Sequence, residues 1–311
     1  MISAVIEYED RSLSLYSSPS VYTGTSFPKG FYEARTSDSG QVYINRKEIL
    51  EEHLPYYQEG TLTVLKTIKA FFNPDIEGKV RNLGFIHKLG ILLHGRQGTG
   101  KTSLMNYMAR YLLNEKNAVV FFCNDRNQLE TAIGIASDIR EIQDTPIVFI
   151  SDEFERFADQ HESYIKNFLD GKDSINNTLF LAATNYLERV PETLKNRPSR
   201  FKVVNEIKGF TDKKTIKSII TDISNKLNPG LFSEKEINKI VEANNDITID
   251  EIKHFCLDKL TDNFVPDRES KPIGFGVPRL EDKDKNKIDK LMVEWKEVLS
   301  PSKGTWSVYT K

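Results

Sequence analysis

The sequence predicts an α/β fold, with a mostly parallel sheet covered by helices on both faces and a small all-helical domain after it. Three observations predict it. Short, continuous apolar runs alternate with stretches of helical period between residues 91 and 207, the pattern of strands buried on both faces. A glycine-rich turn at residues 95–100 joins the first of those runs to the first of those helices. After Phe210 the strand pattern ends, and three amphipathic segments follow one another.

Residues 1–46 are rich in Ser, Thr, Tyr and Gly, and Pro19 and Pro28 break any helix. They read as an N-terminal extension of loops and short strands such as Gln41-Val42-Tyr43-Ile44, outside the core domain. From residue 47, Ile49, Leu50, Leu54, Leu62, Leu65, Ile68, Phe71 and Phe72 recur at helical spacing and predict one or two helices ending before Pro74. Strands are predicted over 91–94, 119–123, 147–150, 178–183 and 202–207, with helices over 102–113, 129–142 and 162–169. Together these make one α/β domain over residues 47–208. In the helical domain, 209–261, helices are predicted over 211–226, 233–243 and 248–260. Ser233 stands three residues before Glu236, and Thr248 three before Glu251, both capping-box spacings. Residues 262–311 read as a C-terminal extension: a loose stretch with Pro, Gly and a charge run at 281–287, then one amphipathic helix over 285–299. That helix carries Ile288, Leu291, Met292 and Trp295, and is expected to pack on the body of the protein.

Composition narrows the class. Lys and Arg number 43 against 45 Asp and Glu, a net charge of −2 in 311 residues, which excludes the strongly basic footprint of a dedicated nucleic-acid binder. No apolar run approaches the ~18 residues of a membrane span. The first ten residues have no basic region leading into an apolar stretch, so no secretory signal is expected. Cys123 and Cys256 lie far apart without a CxxC partner, which excludes a structural zinc or a disulfide framework. The expected location is cytoplasmic.

Gly95-Arg96-Gln97-Gly98-Thr99-Gly100-Lys101-Thr102 satisfies G-x-x-x-x-G-K-[ST] between a predicted strand and a predicted helix. Gly95, Gly98, Thr99 and Gly100 let backbone N–H groups wrap phosphates at a helix N-terminus. Lys101 reaches the β- and γ-phosphates, and the Thr102 hydroxyl is a ligand for Mg²⁺. The implied ligands are ATP and Mg²⁺. Ile147-Val148-Phe149-Ile150-Ser151-Asp152-Glu153 ends an apolar strand on two acids: Asp152 for the metal, presented from the strand beside the phosphate loop, and Glu153 to polarise an attacking water. Asn185 ends the fourth strand at the carboxyl edge of the sheet, where an amide holds water against a γ-phosphate. Arg197 and Arg200, in Arg197-Pro198-Ser199-Arg200-Phe201, are candidates to stabilise transition-state charge on a neighbouring subunit's nucleotide.

Taken in order, these segments resemble an AAA ATPase of the AAA+ superfamily, over about residues 62–260. Leu89-Gly90-Ile91-Leu92-Leu93-His94-Gly95 resembles the lead-in to the Walker A loop, Ile150-Ser151-Asp152-Glu153 the Walker B strand, and Phe168-Leu169-Asp170-Gly171 the helix end of the family. Ala183-Thr184-Asn185 followed by Arg197-Pro198-Ser199-Arg200-Phe201 resembles its second region of homology. The resemblance implies that Asn185 is sensor 1, that Arg197 and Arg200 act as arginine fingers across a subunit interface, and that the helical domain is the lid. It also implies self-association into a ring, typically a hexamer, that remodels a protein partner. Arg96-Gln97 replaces the usual Pro-Pro, Ser199 replaces a Gly, and Thr248-Ile249-Asp250 stands where other branches carry a sensor 2 arginine. Ala132-Ile133-Gly134 falls where threading members have an aromatic pore loop. The compact build is similar to AAA ATPases of tailed phages, which would act in a host cytoplasm.

The leading expectation is therefore a Mg²⁺-dependent ATP hydrolase that assembles through its nucleotide and rearranges an unidentified protein, with no membrane partner. Two alternatives follow. A DNA-linked motor or loader would need a basic inserted hairpin or a sensor 2 arginine; neither is evident, and the Lys283–Lys287 run is interleaved with acids. A nucleotide-gated scaffold would hydrolyse slowly and switch its assembly state.

Overall fold

The computed structural model describes residues 5–7, 12–15, 26–47 and 59–261. Ile49, Leu50, Leu54, the charge run and the C-terminal helix with Trp295 lie outside the described residues. The chain divides into two compact units, Met1–Lys208 and Gly209–Lys311.

The first unit is built on one sheet. Its strands are β1 (Val5–Glu7), β2 (Ser12–Leu15), β3 (Gly30–Thr36), β4 (Val42–Lys47), β5 (Lys88–His94), β6 (Val119–Phe122), β7 (Ile147–Ser151), β8 (Thr178–Thr184) and β9 (Val203–Glu206). They lie in the order β1-β2-β4-β3-β6-β7-β8-β5-β9. From β3 to β9 every neighbouring pair is parallel. Helices connect the strands: α1 (Glu59–Phe71) and α2 (Pro74–Asn82) lead from β4 to β5, α3 (Lys101–Lys116) from β5 to β6, α4 (Arg126–Ile142) from β6 to β7, α5 (Glu155–Ala158) and α6 (Glu162–Asp170) from β7 to β8, and α7 (Glu192–Lys195) from β8 to β9.

Strand period explains the two cores. Side chains alternate between faces, so odd and even residues of one apolar run go to opposite sides. Ile91, Leu93, Val120, Val148, Ile150, Leu179 and Leu181 pack beneath α1 and α3, against Val64, Ile68, Leu104, Met105 and Met108. Leu92, Phe121, Phe149 and Phe180 pack on the other face against Leu129, Ala136 and Ile139 of α4 and Ile165 and Phe168 of α6. This is the two-faced α/β arrangement that the continuous apolar runs predict.

The N-terminal segment departs from its expected place outside the domain. β3 pairs parallel with β6 on one side and antiparallel with β4 on the other. Phe27, Tyr32, Ala34 and Ile44 are buried in the same core as α4. The Tyr32 hydroxyl donates to the Pro28 carbonyl at 2.8 Å, and the Thr36 and Thr131 hydroxyls bond at 2.8 Å. A strand with one polar-tolerant face does not read as a continuous apolar run, which is why composition placed it outside. Pro74 also differs in role. It starts α2 at the first helical position, where its missing N–H costs nothing, and the Asn73 side chain accepts from the Asp75 amide.

The second unit contains α8 (Lys213–Leu227), α9 (Glu234–Ala243) and α10 (Ile249–Leu260). Asp212 caps α8, and both capping boxes form: Ser233 with Glu236, and Thr248 with Glu251. Glu236 also accepts from Lys259 Nζ at 2.6 Å, tying α9 to α10. That bond, followed by those from Ser233, holds the Glu236 carboxyl down at about 2. A carboxyl held below its ordinary value contributes stability above that value and loses it as pH falls toward the folded one. Glu236→Gln is therefore expected to lower the unfolding temperature at about pH 7, with the gap to wild type closing at about pH 2. An equal gap at both pH values in calorimetry counts against this assignment.

Candidate active site

The site is assembled at the carboxyl ends of β5, β7 and β8. β5 runs into the phosphate loop, and φ is +143° at Gly95, +80° at Gly98 and +93° at Gly100, conformations that favour glycine. At Gly95 a Cβ would stand 2.2 Å from the Ile207 carbonyl oxygen, so the backbone of the segment after β9 occupies the space of a side chain. Gly100 starts α3 without a side-chain cap, which leaves the first helical amides for an anion. Thr99 is buried and its hydroxyl donates to the Arg96 carbonyl at 2.9 Å, bracing the loop from within. Arg96 and Gln97 are exposed at its tip.

Lys101 is buried, and its Nζ donates to the carbonyls of Gly95 and Arg96, both at 2.8 Å. The Thr102 hydroxyl donates to Asp152 Oδ2 at 2.6 Å. Two hard oxygens at one point, one of them a carboxylate, suit Mg²⁺, which takes few protein ligands and completes its shell with phosphate oxygens and water. The strand bearing Asp152 is not adjacent to β5, as the sequence reading had it. β8 lies between them, and the acid reaches Thr102 over the end of that strand.

Glu153 follows in a left-handed conformation, φ +48°, with its carboxylate 2.6 Å from Arg156. The next residue, Phe154, donates its amide to the Ala183 carbonyl at 2.8 Å and buries its ring, so the strained turn is pinned on its far side. Asn185 lies half-buried just beyond the end of β8, between the strand of the phosphate loop and the strand of the acids. Asn124, just after β6, was not singled out in the sequence. Its side-chain oxygen accepts from the Asp152 amide at 3.3 Å. Its signal was available, a polar residue at the carboxyl end of a buried strand, the same signal that marked Asn185.

The two arginines are not equivalent. Both approach Asp170, at the end of α6, but the Arg197 side chain is 64% exposed and that of Arg200 is 8% exposed. Burial alone would raise the Asp170 carboxyl, but hydrogen bonds from Arg200 and Ser199 and the two guanidinium charges hold it below its ordinary value. Ala132-Ile133-Gly134 is not a loop. It lies inside α4, with Ala132 and Ile133 buried, and only residues 123–125 separate β6 from α4. In the second unit, Lys253 stands 3.8 Å from Asp250 on the surface of α10.

A glycine-rich loop between a parallel strand and a helix, with a buried lysine and a Thr–Asp oxygen pair at its mouth, defines a nucleotide-binding α/β domain. Residues 91–209 match the family described as ATPase family associated with various cellular activities (AAA), and the chain carries an AAA ATPase domain. Relatives agree. A protein named as a cell division cycle ATPase in Plasmodium falciparum is 29% identical over 131 residues, covering 37% of this chain and 10% of its own. Protein CdcH of Halobacterium salinarum is 29% identical over 138 residues, 39% of this chain and 18% of its own. The vesicular-fusion protein SEC18 of Candida albicans is 26% identical over 204 residues, 56% of this chain and 25% of its own. The matches thus span a tenth to a quarter of these relatives. No helix among the described residues is long and apolar enough to cross a membrane.

Gly95→Ala is expected to abolish binding of a fluorescent ATP analogue, because its Cβ meets a backbone oxygen that cannot move away. Gly134→Ala, which meets nothing within 4 Å, is expected to leave binding unchanged. Equal binding by the two variants sinks the packing argument.

Proposed function

We propose that this protein is a Mg²⁺-dependent ATP hydrolase whose active site is completed by a neighbouring copy, and that it uses the cycle to rearrange a protein partner through a ring assembly. The observation that carries the reading is the 2.6 Å bond between Thr102 and Asp152 beside buried Lys101, with Glu153 next in the chain. Lys101 exchanges the loop carbonyls for β- and γ-phosphate oxygens, and Gly98, Thr99 and Gly100 offer backbone amides to the same phosphates. Thr102 and Asp152 would hold the metal, which would supply positive charge beside the phosphates. Glu153 leaves Arg156 and accepts a proton from the attacking water, with Asn185 orienting that water from the end of β8. A neighbour's arginine stabilises the transition state.

Self-association and a protein substrate are supported by the family and by relatives named for cell division and vesicle fusion. The placement of Ala132-Ile133-Gly134 within α4, with Ala132 and Ile133 buried, favours a partner moved by outer surfaces of the assembly over one threaded past an aromatic loop. The helical second unit would serve as the lid, and the location would be cytoplasmic.

ATPase rate measured against protein concentration, with light scattering for size, tests this. Turnover per chain is expected to rise with concentration. Glu153→Gln is expected to bind ATP and assemble while losing about 10²–10⁴-fold in turnover. Arg197→Ala is expected to lose about 10³-fold or more. Full turnover by a monomer that ignores Arg197 rejects the shared site.

A further inference from the structure

We propose that Arg200 is not a finger for a neighbour's nucleotide but an internal strut, clamped by Asp170, that positions Arg197 as the single finger. The proposal rests on the shared-site reading above and narrows it, since that reading by itself assigns the same role to both arginines.

The geometry around Arg200 closes on every side. Its Nε donates to Asp170 Oδ2 at 2.9 Å, and its terminal nitrogen donates to the Thr193 carbonyl at 2.5 Å. Ser199 Oγ donates to the same carboxylate oxygen at 3.0 Å. The guanidinium thus ties the end of α6 to α7, and its fork geometry, with donors fixed in one plane, is what lets one side chain serve both. The backbone is held as tightly. A Cβ at Gly90 in β5 would stand 1.9 Å from the Arg200 carbonyl oxygen, so this residue lies directly on the strand that feeds the phosphate loop. Next to it, the Phe201 ring packs edge-on to Phe154 at 5.6 Å, and Phe154 follows Glu153.

Swinging Arg200 out to a neighbour would strip the largely covered Asp170 carboxylate of its main partner and unseat the α7 contact, and leaving such a charge unpaired is unfavourable. Arg197 carries no such constraint. It touches Asp170 only at 3.5 Å, and its amide-bearing turn is fixed from behind, since the amides of Arg200 and Phe201 donate to the Arg197 carbonyl at 2.9 and 3.2 Å. The outcome is a rigid base and a free tip: Asp170 and Arg200 set where the turn sits, and the exposed Arg197 guanidinium does the reaching.

Two measurements on the full-length chain test this. The first is the unfolding temperature of dilute, nucleotide-free protein, a state in which a finger has no neighbour to act on. Arg200→Ala and Asp170→Asn are each expected to lower it by ~5 °C or more, with the double variant no worse than the more damaging single, while Arg197→Ala leaves it unchanged. The second is turnover at saturating ATP and protein. Arg200→Ala is expected to cut turnover in the wild-type background and to cost nothing further in an Arg197→Ala background, because it acts through Arg197. Arg200→Lys retains the charge opposite Asp170 but loses the fork that also reaches Thr193, so it is expected to fold with an unfolding temperature between those of wild type and Arg200→Ala, and with turnover reduced in step; it decides the case if Arg200→Ala does not fold. A wild-type unfolding temperature for Arg200→Ala, or a ~100-fold loss of turnover in an Arg200→Lys that unfolds at the wild-type temperature, overturns the strut. If Arg197→Ala retains full turnover, the shared-site reading has failed instead, and the unfolding data still decide whether Arg200 is a strut.

Discussion

The strand β5 is packed against neighbouring backbone more closely than a side chain would allow, at Gly90 under the Arg200 carbonyl and at Gly95 under the Ile207 carbonyl. Its ladder with β8 on one side and β9 on the other runs parallel, with seven and four residue pairs in register. This contact sets the relative height of three things: the phosphate loop that β5 enters, Asn185 at the end of β8, and the arginine turn that precedes β9. A methyl group at either glycine would push the turn or the segment after β9 away from the strand. The two glycines, one within β5 and one just after it, therefore serve different ends. Gly95 also bends the chain into the loop, whereas Gly90 is there for closeness alone.

A second constraint is that the ammonium, hydroxyl and carboxylates at the mouth of the site already have protein partners. Lys101 rests on two loop carbonyls, Thr102 on Asp152, and Glu153 on Arg156. A buried ammonium or carboxylate without a partner is costly, so a resting site must satisfy its own charges. In the proposed reaction a phosphate, a metal and a water would replace those partners group for group. The Glu153–Arg156 pair is the loosest of them, since both side chains are substantially exposed and such pairs contribute little. Glu153, the proposed base, is thus the member held with the least energy.

The N-terminal strands extend this frame in the opposite direction. β3 covers the outer edge of β6, and α4 lies across both, packing on Tyr32 and Ala34 as well as on Phe121. A helix used in this way buries one face of its middle turns, and Ala132 and Ile133 lie on that face while Gly134 is exposed. Joining β6 to α4 through three residues leaves no chain for a projecting loop at that place. The added strands and the short connection belong together: the helix that roofs the extended sheet begins almost as soon as β6 ends.

Much of this was legible in the sequence because the chemistry is local. Gly95 to Thr102 and Asp152-Glu153 are contiguous, their backbone geometry is set by glycines and by the strand before them, and continuous apolar runs announce a sheet buried on both faces. The capping boxes at Ser233 and Thr248 are equally local, and both formed where their spacing placed them. The sequence determined, on its own, the α/β class and the residues of the phosphate loop. Only the tertiary structure decided that β3 is a core strand, that β8 separates the phosphate loop from the acid strand, that Asn124 supports Asp152, and that Arg197 is exposed while Arg200 is buried. Each of those depends on which residues from distant parts of the chain pack against the segment. Two arginines three apart look alike until Asp170, Thr193 and Gly90 close around one of them and leave the other in water.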